Sequence, residues 1–187
     1  MSFRRRIRRS LQVVLLASSI TLPTFANPVS DEDVKLALVY KIARFVTWPE
    51  SEADADRPFR LCVAEKKLHK RATDRLTGRK IRDRDIQVNL LRDIAREFES
   101  RCDVLYMVGV KKERFVSVLD ASKGTPVLTV SDTPEFVNSG GMIGLSKRSN
   151  KISMKINVAA YESSGLVISS QLLELADLVN DNRKARR

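Results

Sequence analysis

Few side chains in this sequence have the types and spacing that chemistry requires, and the two cysteines are the first to consider. Cys62 and Cys102 are the only cysteines in the chain, and their spacing excludes a Cys-x-x-Cys redox motif. If their strands are neighbours, the two thiols come within disulfide range. A disulfide would close the loop between Cys62 and Cys102 and stabilise the fold by about 4 kcal/mol in the chain-entropy model. Two buried, reduced thiols are the alternative.

The polar residues that resemble catalytic groups have simpler interpretations. His69 is the only histidine, so it cannot supply a usual zinc set, and nothing in the sequence places it beside a serine for a catalytic triad. Ser131-Asp132-Thr133 follows a predicted strand. This tripeptide is expected to cap a short helix that runs through Val137.

Gly140-Gly141 is the one glycine pair, and no Lys-Ser/Thr follows it as a P-loop would require. We interpret the pair as a tight turn leading into a strand, where glycine permits a positive φ. The sequence therefore predicts a protein with no catalytic residues, no metal and no cofactor, which is not an enzyme.

The first residues have the pattern of a secretory signal peptide. A cationic segment at residues 4–9 precedes an apolar stretch at residues 11–22, and Thr24-Phe25-Ala26 supplies small residues for cleavage. We predict a cleaved signal peptide at residues 1–26, a domain at residues 27–182 and a basic tail at residues 183–187. An uncleaved membrane anchor is the alternative, although the apolar stretch is short for a membrane span.

Removal of the signal peptide weakens the charge argument for a nucleic-acid partner. It leaves 29 basic and 23 acidic residues, a net charge of +6 instead of +11. An exported domain with this modest excess is not expected to bind nucleic acid. The excess lies mainly at residues 66–84 and in the tail, where it is interpreted as a solvated surface or as an attraction to an acidic partner or anionic headgroups.

The first predicted helix begins after Ser30, which resembles an N-cap, and ends before Trp48-Pro49. It is apolar nearly all round, which is typical of a helix that is either buried or shared with a partner. The core face is predicted to carry the apolar residues at i, i+3, i+4 spacing, which are Val34, Ala37, Leu38, Ile42, Phe45 and Val46. The second face is the candidate partner-binding surface, and it carries Leu36, Val39 and Tyr40.

Strands and helices alternate along the first two-thirds of the chain. Strands are predicted at residues 59–64, 86–91, 102–108 and 126–130, helices at residues 66–76 and 111–119, a hairpin at residues 142–145 and 151–157, and a last helix from Ser169 or Ser170 through Val179. This order predicts a single α/β domain. Its mostly parallel central sheet has helices on both faces and an antiparallel C-terminal hairpin at the edge. The edge strand at residues 151–157 is a second candidate partner surface.

Together these motifs resemble the YfiR-like periplasmic family. The matching segments, in order, are residues 41–49, 61–63, 101–105, 126–132, 140–143, 155–160 and 165–173. Within them the family-motif residues are Trp48, Pro49, Thr129, Ser131, Asp132, Gly140, Gly141, Asn157, Ser169 and Ser170.

The resemblance implies a periplasmic repressor that binds the periplasmic part of an inner-membrane diguanylate cyclase and lowers cyclic di-GMP. It also implies a disulfide at Cys62 and Cys102, and an outer-membrane lipoprotein that sequesters the repressor. A sensor kinase as the partner and a homodimer are further expectations. The chain departs from the family in lacking a second cysteine pair near Gly140-Gly141, so a redox switch that depends on that pair is not implied.

A different class of function is a small-ligand receptor that serves a transporter or a sensor kinase. A lone α/β lobe resembles half of a periplasmic binding protein, and Ser131 with Gly140-Gly141 could hold an anion. Regulation by surface binding needs only a difference in affinity for two states of the receptor. The sequence fits that requirement more directly than it fits a small-ligand receptor.

Overall fold

The computed structural model of the protein describes residues 30–50, 56–64, 73–98, 102–149 and 151–180. The predicted signal peptide, the basic tail, His69 and most of the helix predicted at residues 66–76 lie outside these residues. In chain order the elements are α1 (Asp31–Ala43), β1 (Val46–Thr47), β2 (Phe59–Ala64), β3 (Lys80–Ile81), β4 (Arg84–Leu90), α2 (Ile94–Glu97), β5 (Val104–Met107), α3 (Lys112–Ser122), β6 (Leu128–Ser131), β7 (Ile143–Arg148), β8 (Lys151–Asn157), α4 (Val158–Ser163), β9 (Val167–Ile168), α5 (Ser170–Leu173) and β10 (Asp177–Val179).

An eight-stranded sheet runs through the centre in the order β10-β8-β7-β6-β5-β2-β4-β3. The pairs β2–β4, β2–β5, β5–β6, β6–β7 and β8–β10 are parallel, and β7–β8 and β3–β4 are antiparallel. The mostly parallel sheet is therefore as predicted.

Helices cover both faces of this sheet because alternate strand residues enter two separate cores. Leu61 and Tyr106 pack in one core with α1, α4 and α5, whereas Cys62 and Leu105 pack in the other with α2 and α3. The apolar runs of residues 61–64 in β2 and of all of β5 reflect burial on both sides. This arrangement confirms the predicted α/β class.

Helix α1 begins where the sequence indicates, since the Ser30 hydroxyl oxygen accepts a hydrogen bond from the Asp33 N–H at 3.1 Å. It ends at Ala43, earlier than predicted, because Val46 and Thr47 leave the helix to form β1 and pair with β9. Both residues are β-branched and fit a strand better than a helix end.

The C-terminal region differs most from the sequence prediction. The predicted helix from Ser169 or Ser170 through Val179 is wrong beyond Leu173, since α5 ends there and β10 pairs with β8 in parallel. Strand β10 satisfies backbone groups of β8 that would otherwise face outward without partners. The β7–β8 hairpin therefore lies inside the sheet, not at its edge.

The β3–β4 hairpin turns through two residues with left-handed backbones, Arg82 (φ 48°) and Asp83 (φ 63°). Such turns favour Asn-Gly, because in the left-handed conformation Cβ lies too close to the following carbonyl oxygen, a contact that glycine avoids and that Asn and Asp tolerate.

Replacing Asp83 by glycine should raise the free energy of unfolding by about 0.5 kcal/mol in urea denaturation, after the entropic cost of glycine is subtracted. Asp85→Gly, in the strand itself, is the control and should destabilise. A loss of stability in Asp83→Gly would contradict this account.

Candidate functional site

A two-stranded ribbon formed by β1 and β9 lies apart from the central sheet. Val46 pairs with Ile168 and Thr47 with Val167, and the Ser169 N–H donates to the Phe45 carbonyl at 2.9 Å. Val46 and Ile168 face the core, so Thr47 and Val167, which alternate with them along the strands, point outward. Phe45, in the turn just before β1, is exposed as well.

The outer face of this ribbon is apolar and exposed. The exposed fractions of Phe45 and Val167 are 42% and 61%, and both residues adjoin the pairs that join β1 to β9. We call Phe45, Thr47 and Val167 the ribbon patch. We take the ribbon patch as the candidate surface for contact with another protein.

The border of the ribbon patch is mainly basic. Lys41 and Arg44 are exposed on the chain just before Phe45, and Glu50 is the exposed acidic residue of the same stretch. Arg82 reaches toward the ribbon from the β3–β4 turn and donates from Nη1 to the Trp48 carbonyl at 3.3 Å. This charge distribution favours a partner surface with acidic groups.

Trp48 anchors the ribbon to the central sheet. Its side chain is buried, its Nε1–H donates to the Asp103 carbonyl at 3.2 Å, and its ring meets Phe59 edge-on with centroids 5.0 Å apart. Trp48 therefore supports the ribbon from the core side, whereas Pro49 is exposed.

The carboxylate of Asp103 is buried beneath Trp48 and is surrounded by donors. Arg57 donates to both carboxylate oxygens at 2.8 and 2.9 Å, Arg84 donates to Oδ2 at 3.1 Å, and the Arg60 backbone N–H donates to Oδ2 at 2.7 Å. Charge-assisted, bidentate hydrogen bonds of this type are strong. We call this group the Asp103 cluster.

Sequence reasoning missed the Asp103 cluster. The available signal was a charged residue at the start of an otherwise apolar buried strand, since such residues need partners. Its arginine partners lie on other segments of the chain and could not be identified from spacing.

The disulfide adjoins the Asp103 cluster. Cys62 and Cys102 are bonded, with their Cα atoms 5.6 Å apart, which confirms the predicted pairing. Cys102 immediately precedes Asp103, so the covalent link and the ionic cluster hold the same end of β5 to β2.

The Ser131-Asp132 motif also has a structural role. Asp132 accepts from Lys35 Nζ at 2.8 Å and from the Gly109 N–H at 2.9 Å, which ties α1 to two loops at the carboxyl end of the sheet. The Ser131 side chain is fully buried and accepts from the Thr133 N–H at 3.1 Å. The short helix predicted here is wrong, because residues 134–140 form successive turns.

Thr129 and Asn157 hold the segment that connects β6 to β7. Thr129 Oγ1 accepts from the Met142 N–H at 3.1 Å, Asn157 Nδ2 donates to the Val137 carbonyl at 3.2 Å, and Asn157 Oδ1 accepts from Ala160 at the start of α4. Gly140 has a φ of 105°, as predicted for a tight turn. Because Ser131 is buried, the anion site suggested for it with Gly140-Gly141 has no support.

Gly141 lies against the buried ring of Phe136, and a Cβ at this position would come within 2.2–2.5 Å of the ring carbons. Gly141→Ala should therefore lower the free energy of unfolding by about 2 kcal/mol through overpacking. Denaturant titration of Gly141→Ala, of Phe136→Leu and of the double variant checks this prediction. Because Phe136→Leu removes the ring, Gly141→Ala should cost less stability in that background than in wild type. A penalty that is the same in both backgrounds would contradict the packing explanation.

Ser169 and Ser170 lie where β9 passes into α5. Ser169 Oγ accepts from the Leu172 N–H and caps the helix, while Ser170 is its first residue. Both therefore fix the end of the ribbon.

The predicted partner surface on α1 is wrong. Leu36 and Val39 are fully buried in the core, and Tyr40 is half-buried with the Arg79 guanidinium 5.7 Å from its ring centre. On the predicted core face Val34 and Ala37 are exposed, whereas Ile42 is buried as predicted, so the buried face is rotated from the predicted one. Strand β8 is also less open than expected, because β10 pairs with Lys155 through Asn157.

Within the described ranges, no group of three or more histidine, cysteine, aspartate or glutamate side chains is placed to hold a metal ion. A search of the same residues found no helix long and apolar enough to cross a membrane. The pocket detected on the sheet is an open cleft of about 590 Å³, lined by Arg60, Cys62, Gln87, Val88, Asn89, Leu90, Leu91 and Glu97.

These features define an α/β domain that presents an apolar ribbon braced by a disulfide and a buried ionic cluster. The family profile described as YfiR/HmsC-like matches residues 32–177, most of the chain, and the chain belongs to this family. The resemblance of its motifs is thereby confirmed. Membership is consistent with a periplasmic regulatory role and suggests interaction with the periplasmic domain of a signalling protein. A search of curated proteins found no match.

Proposed function

We propose that this chain is a periplasmic regulatory protein that binds the periplasmic part of an inner-membrane diguanylate cyclase, represses it and so lowers cyclic di-GMP. The observation that carries the proposal is the ribbon patch, since Phe45, just before β1, and Val167, in β9, are both exposed apolar side chains of the same ribbon. Val167 is mainly exposed and Phe45 is exposed in part, and contact with a partner would cover both side chains.

Repression by this route requires no chemistry in the bound protein. A ligand shifts an equilibrium between two receptor states by its difference in affinity for them. An aromatic anchor with an aliphatic neighbour can form the centre of a small interface, and surrounding charges orient the encounter. The proposal therefore assigns binding to Phe45 and Val167, and steering to Lys41 and Arg44.

The test compares Val167→Glu with Val34→Glu. Val34 is a matched control because it is exposed to a similar degree as Phe45 and lies near the opposite end of α1. Val167→Glu should weaken binding to the purified periplasmic domain of the cyclase by at least about 30-fold, the loss expected of an interface hot spot. Val34→Glu should leave the affinity unchanged.

The cellular measurement is cyclic di-GMP in a deletion strain that carries each version of the gene. Deletion should raise cyclic di-GMP, and wild type and Val34→Glu should lower it again, whereas Val167→Glu should not. Unchanged cyclic di-GMP after deletion would refute the cyclase as target. Full repression by Val167→Glu would refute the ribbon patch as the contact. An outer-membrane lipoprotein that sequesters the repressor would compete for the same surface and can be added to the binding assay.

A second candidate function is favoured by the open cleft over β2 and β4, which is lined by the polar side chains of Arg60, Gln87, Asn89 and Glu97. We infer that a small-ligand receptor would use this cleft, with Arg60 facing an anionic group. The test incubates the purified protein with metabolites extracted from the periplasm. Metabolites that wild type retains and Arg60→Ala does not would support a small-ligand receptor. Failure to retain any would leave the regulator as the better account.

A further inference from the structure

The floor of the open cleft is formed by residues that share one face of two neighbouring strands. In the parallel register of β2 and β4, Arg60 lies beside Gln87 and Cys62 beside Asn89. Because alternate residues of a strand point to the same face, all four side chains lie on the face that α2 and α3 cover in part. Cys62 is fully buried in the disulfide, so the polar groups of the floor come from the other three residues.

The three polar side chains of this floor have unused hydrogen-bonding groups. Among the described residues, the Arg60 guanidinium and the amides of Gln87 and Asn89 have no hydrogen-bond or ion-pair partner. Arg60 and Asn89 are half-buried, and Gln87 is exposed. The cleft above them has a volume of about 590 Å³, which lies in the range of small-molecule pockets. A molecule bound there would meet all three side chains.

The two charged side chains of the cleft stand on different elements and are not paired with each other. Arg60 lies on β2 and Glu97 on α2, and no ion pair joins them, although both line the cleft. Glu97 accepts the Asp93 N–H with Oε1 at 3.1 Å, which leaves Oε2 for another donor. A molecule complementary to the cleft therefore has a negative group near Arg60 and a positive group near Glu97.

The neutral side chains of the floor fit a molecule that contains amides. Each side-chain amide offers both donors and an acceptor, which a peptide group requires. Gln87 and Asn89 are two positions apart on β4, so their Cα atoms are about 7 Å apart. An extended peptide repeats the peptide groups on one of its sides at the same interval. A neutral saccharide lacks the charged ends, and a fatty acid lacks both the amides and the positive group.

We propose that the cleft binds an extended peptide of two or three residues with free ends. The peptide carboxylate accepts from the Arg60 guanidinium, the ammonium group donates to the Glu97 carboxylate, and the peptide groups bond to Gln87 and Asn89. Charge-assisted bonds at the two ends fix the direction of the peptide. The proposal rests on the small-ligand receptor inferred above and names the class of its ligand.

The cleft and the ribbon patch lie on different sides of the molecule. Val46 and Ile168 of the ribbon belong to the core on one face of the sheet, whereas Cys62 at the base of the cleft belongs to the core on the other face. A bound peptide therefore does not cover the surface proposed for the cyclase.

Tripeptide binding is measured in two stages. A pool of tripeptides with free ends is equilibrated with the purified mature chain, and the retained peptides are identified by mass spectrometry. The most strongly retained peptide is then titrated by calorimetry beside its N-acetylated and C-amidated forms. Blocking either end should weaken binding about 10- to 100-fold, as expected for the loss of a hydrogen bond to a charged group.

Substitutions assign each end of the peptide to its side chain. Arg60→Gln should weaken binding of the free-ended peptide as much as amidation does, and should weaken the amidated peptide little further, because both changes remove the same contact. Glu97→Gln should show the same relation to acetylation. Arg96→Gln is the matched control, since Arg96 is next to Glu97 but is exposed and outside the cleft, and it should bind like wild type. Circular dichroism shows whether each variant is folded.

The possible failures are distinguishable. Retention of a periplasmic metabolite that is not a peptide, with no tripeptide retained, would overturn the peptide assignment and leave the small-ligand receptor standing. Retention of neither would overturn both. Additive losses from Arg60→Gln and amidation, or wild-type affinity in folded Arg60→Gln, would refute the contact between Arg60 and the peptide carboxylate.

Discussion

Asp103→Asn is expected to lower the free energy of unfolding by about 3 kcal/mol, the lower end of the range for removing one member of a buried ion pair. The variant leaves Arg57 and Arg84 without the carboxylate that both contact. Part of each guanidinium reaches solvent, which limits the loss. The Arg60 N–H also loses a charged acceptor.

Urea denaturation of Asp103→Asn, with an unchanged dependence on denaturant, measures this effect. Asp120→Asn is the control, because Asp120 forms an exposed ion pair with Lys123 at 2.7 Å and such pairs contribute less than about 1 kcal/mol. If Asp103→Asn costs no more than Asp120→Asn, the Asp103 cluster does not stabilise the fold and its arginines serve another purpose.

The double variant Cys62→Ala/Cys102→Ala is expected to lose about 4 kcal/mol, the chain-entropy value for closing a loop of 40 residues. Replacing both cysteines avoids leaving one reactive thiol in a buried site. Reduction of wild type by dithiothreitol should cause a similar loss, and the double variant should be insensitive to the reductant. Stability of the double variant equal to that of oxidised wild type would show that the disulfide does not brace the fold.

These two changes should not be additive. Cys102 and Asp103 are adjacent and hold the same end of β5, so removal of one alters what the other constrains. A triple variant whose loss equals the sum of the separate losses would indicate that the two supports act independently.

The parts of the fold that the sequence predicted are those set by local patterns. Ser30 caps α1, the apolar run of β5 indicates a strand buried on both faces, and alternation identifies β8. The parts that it missed depend on remote pairing: Val46 pairs with Ile168, and Leu178 with Ile156. Hydrophobic periodicity carries no information about such partners.

The candidate site was missed for the same reason. Phe45 and Val46 were assigned to the end of a helix, where both suited its core face, and only the pairing with β9 turns Phe45 outward. In α1 itself the apolar pattern is nearly even around the axis, so burial of Leu36 rather than Val34 is decided by how the helix docks on the sheet. The disulfide was predictable because only one pairing of two cysteines exists.

The ribbon unites a segment near the start of the family-matched region with one near its end, since residues 46–47 pair with residues 167–168. In the export that the proposed function requires, a chain that crosses the inner membrane amino end first would deliver Phe45 well before Val167. Its recognition surface would be absent until the last elements had crossed and folded. Only fully translocated molecules would then repress the target enzyme. Chains truncated before residue 167 would not bind it at all, rather than bind it weakly.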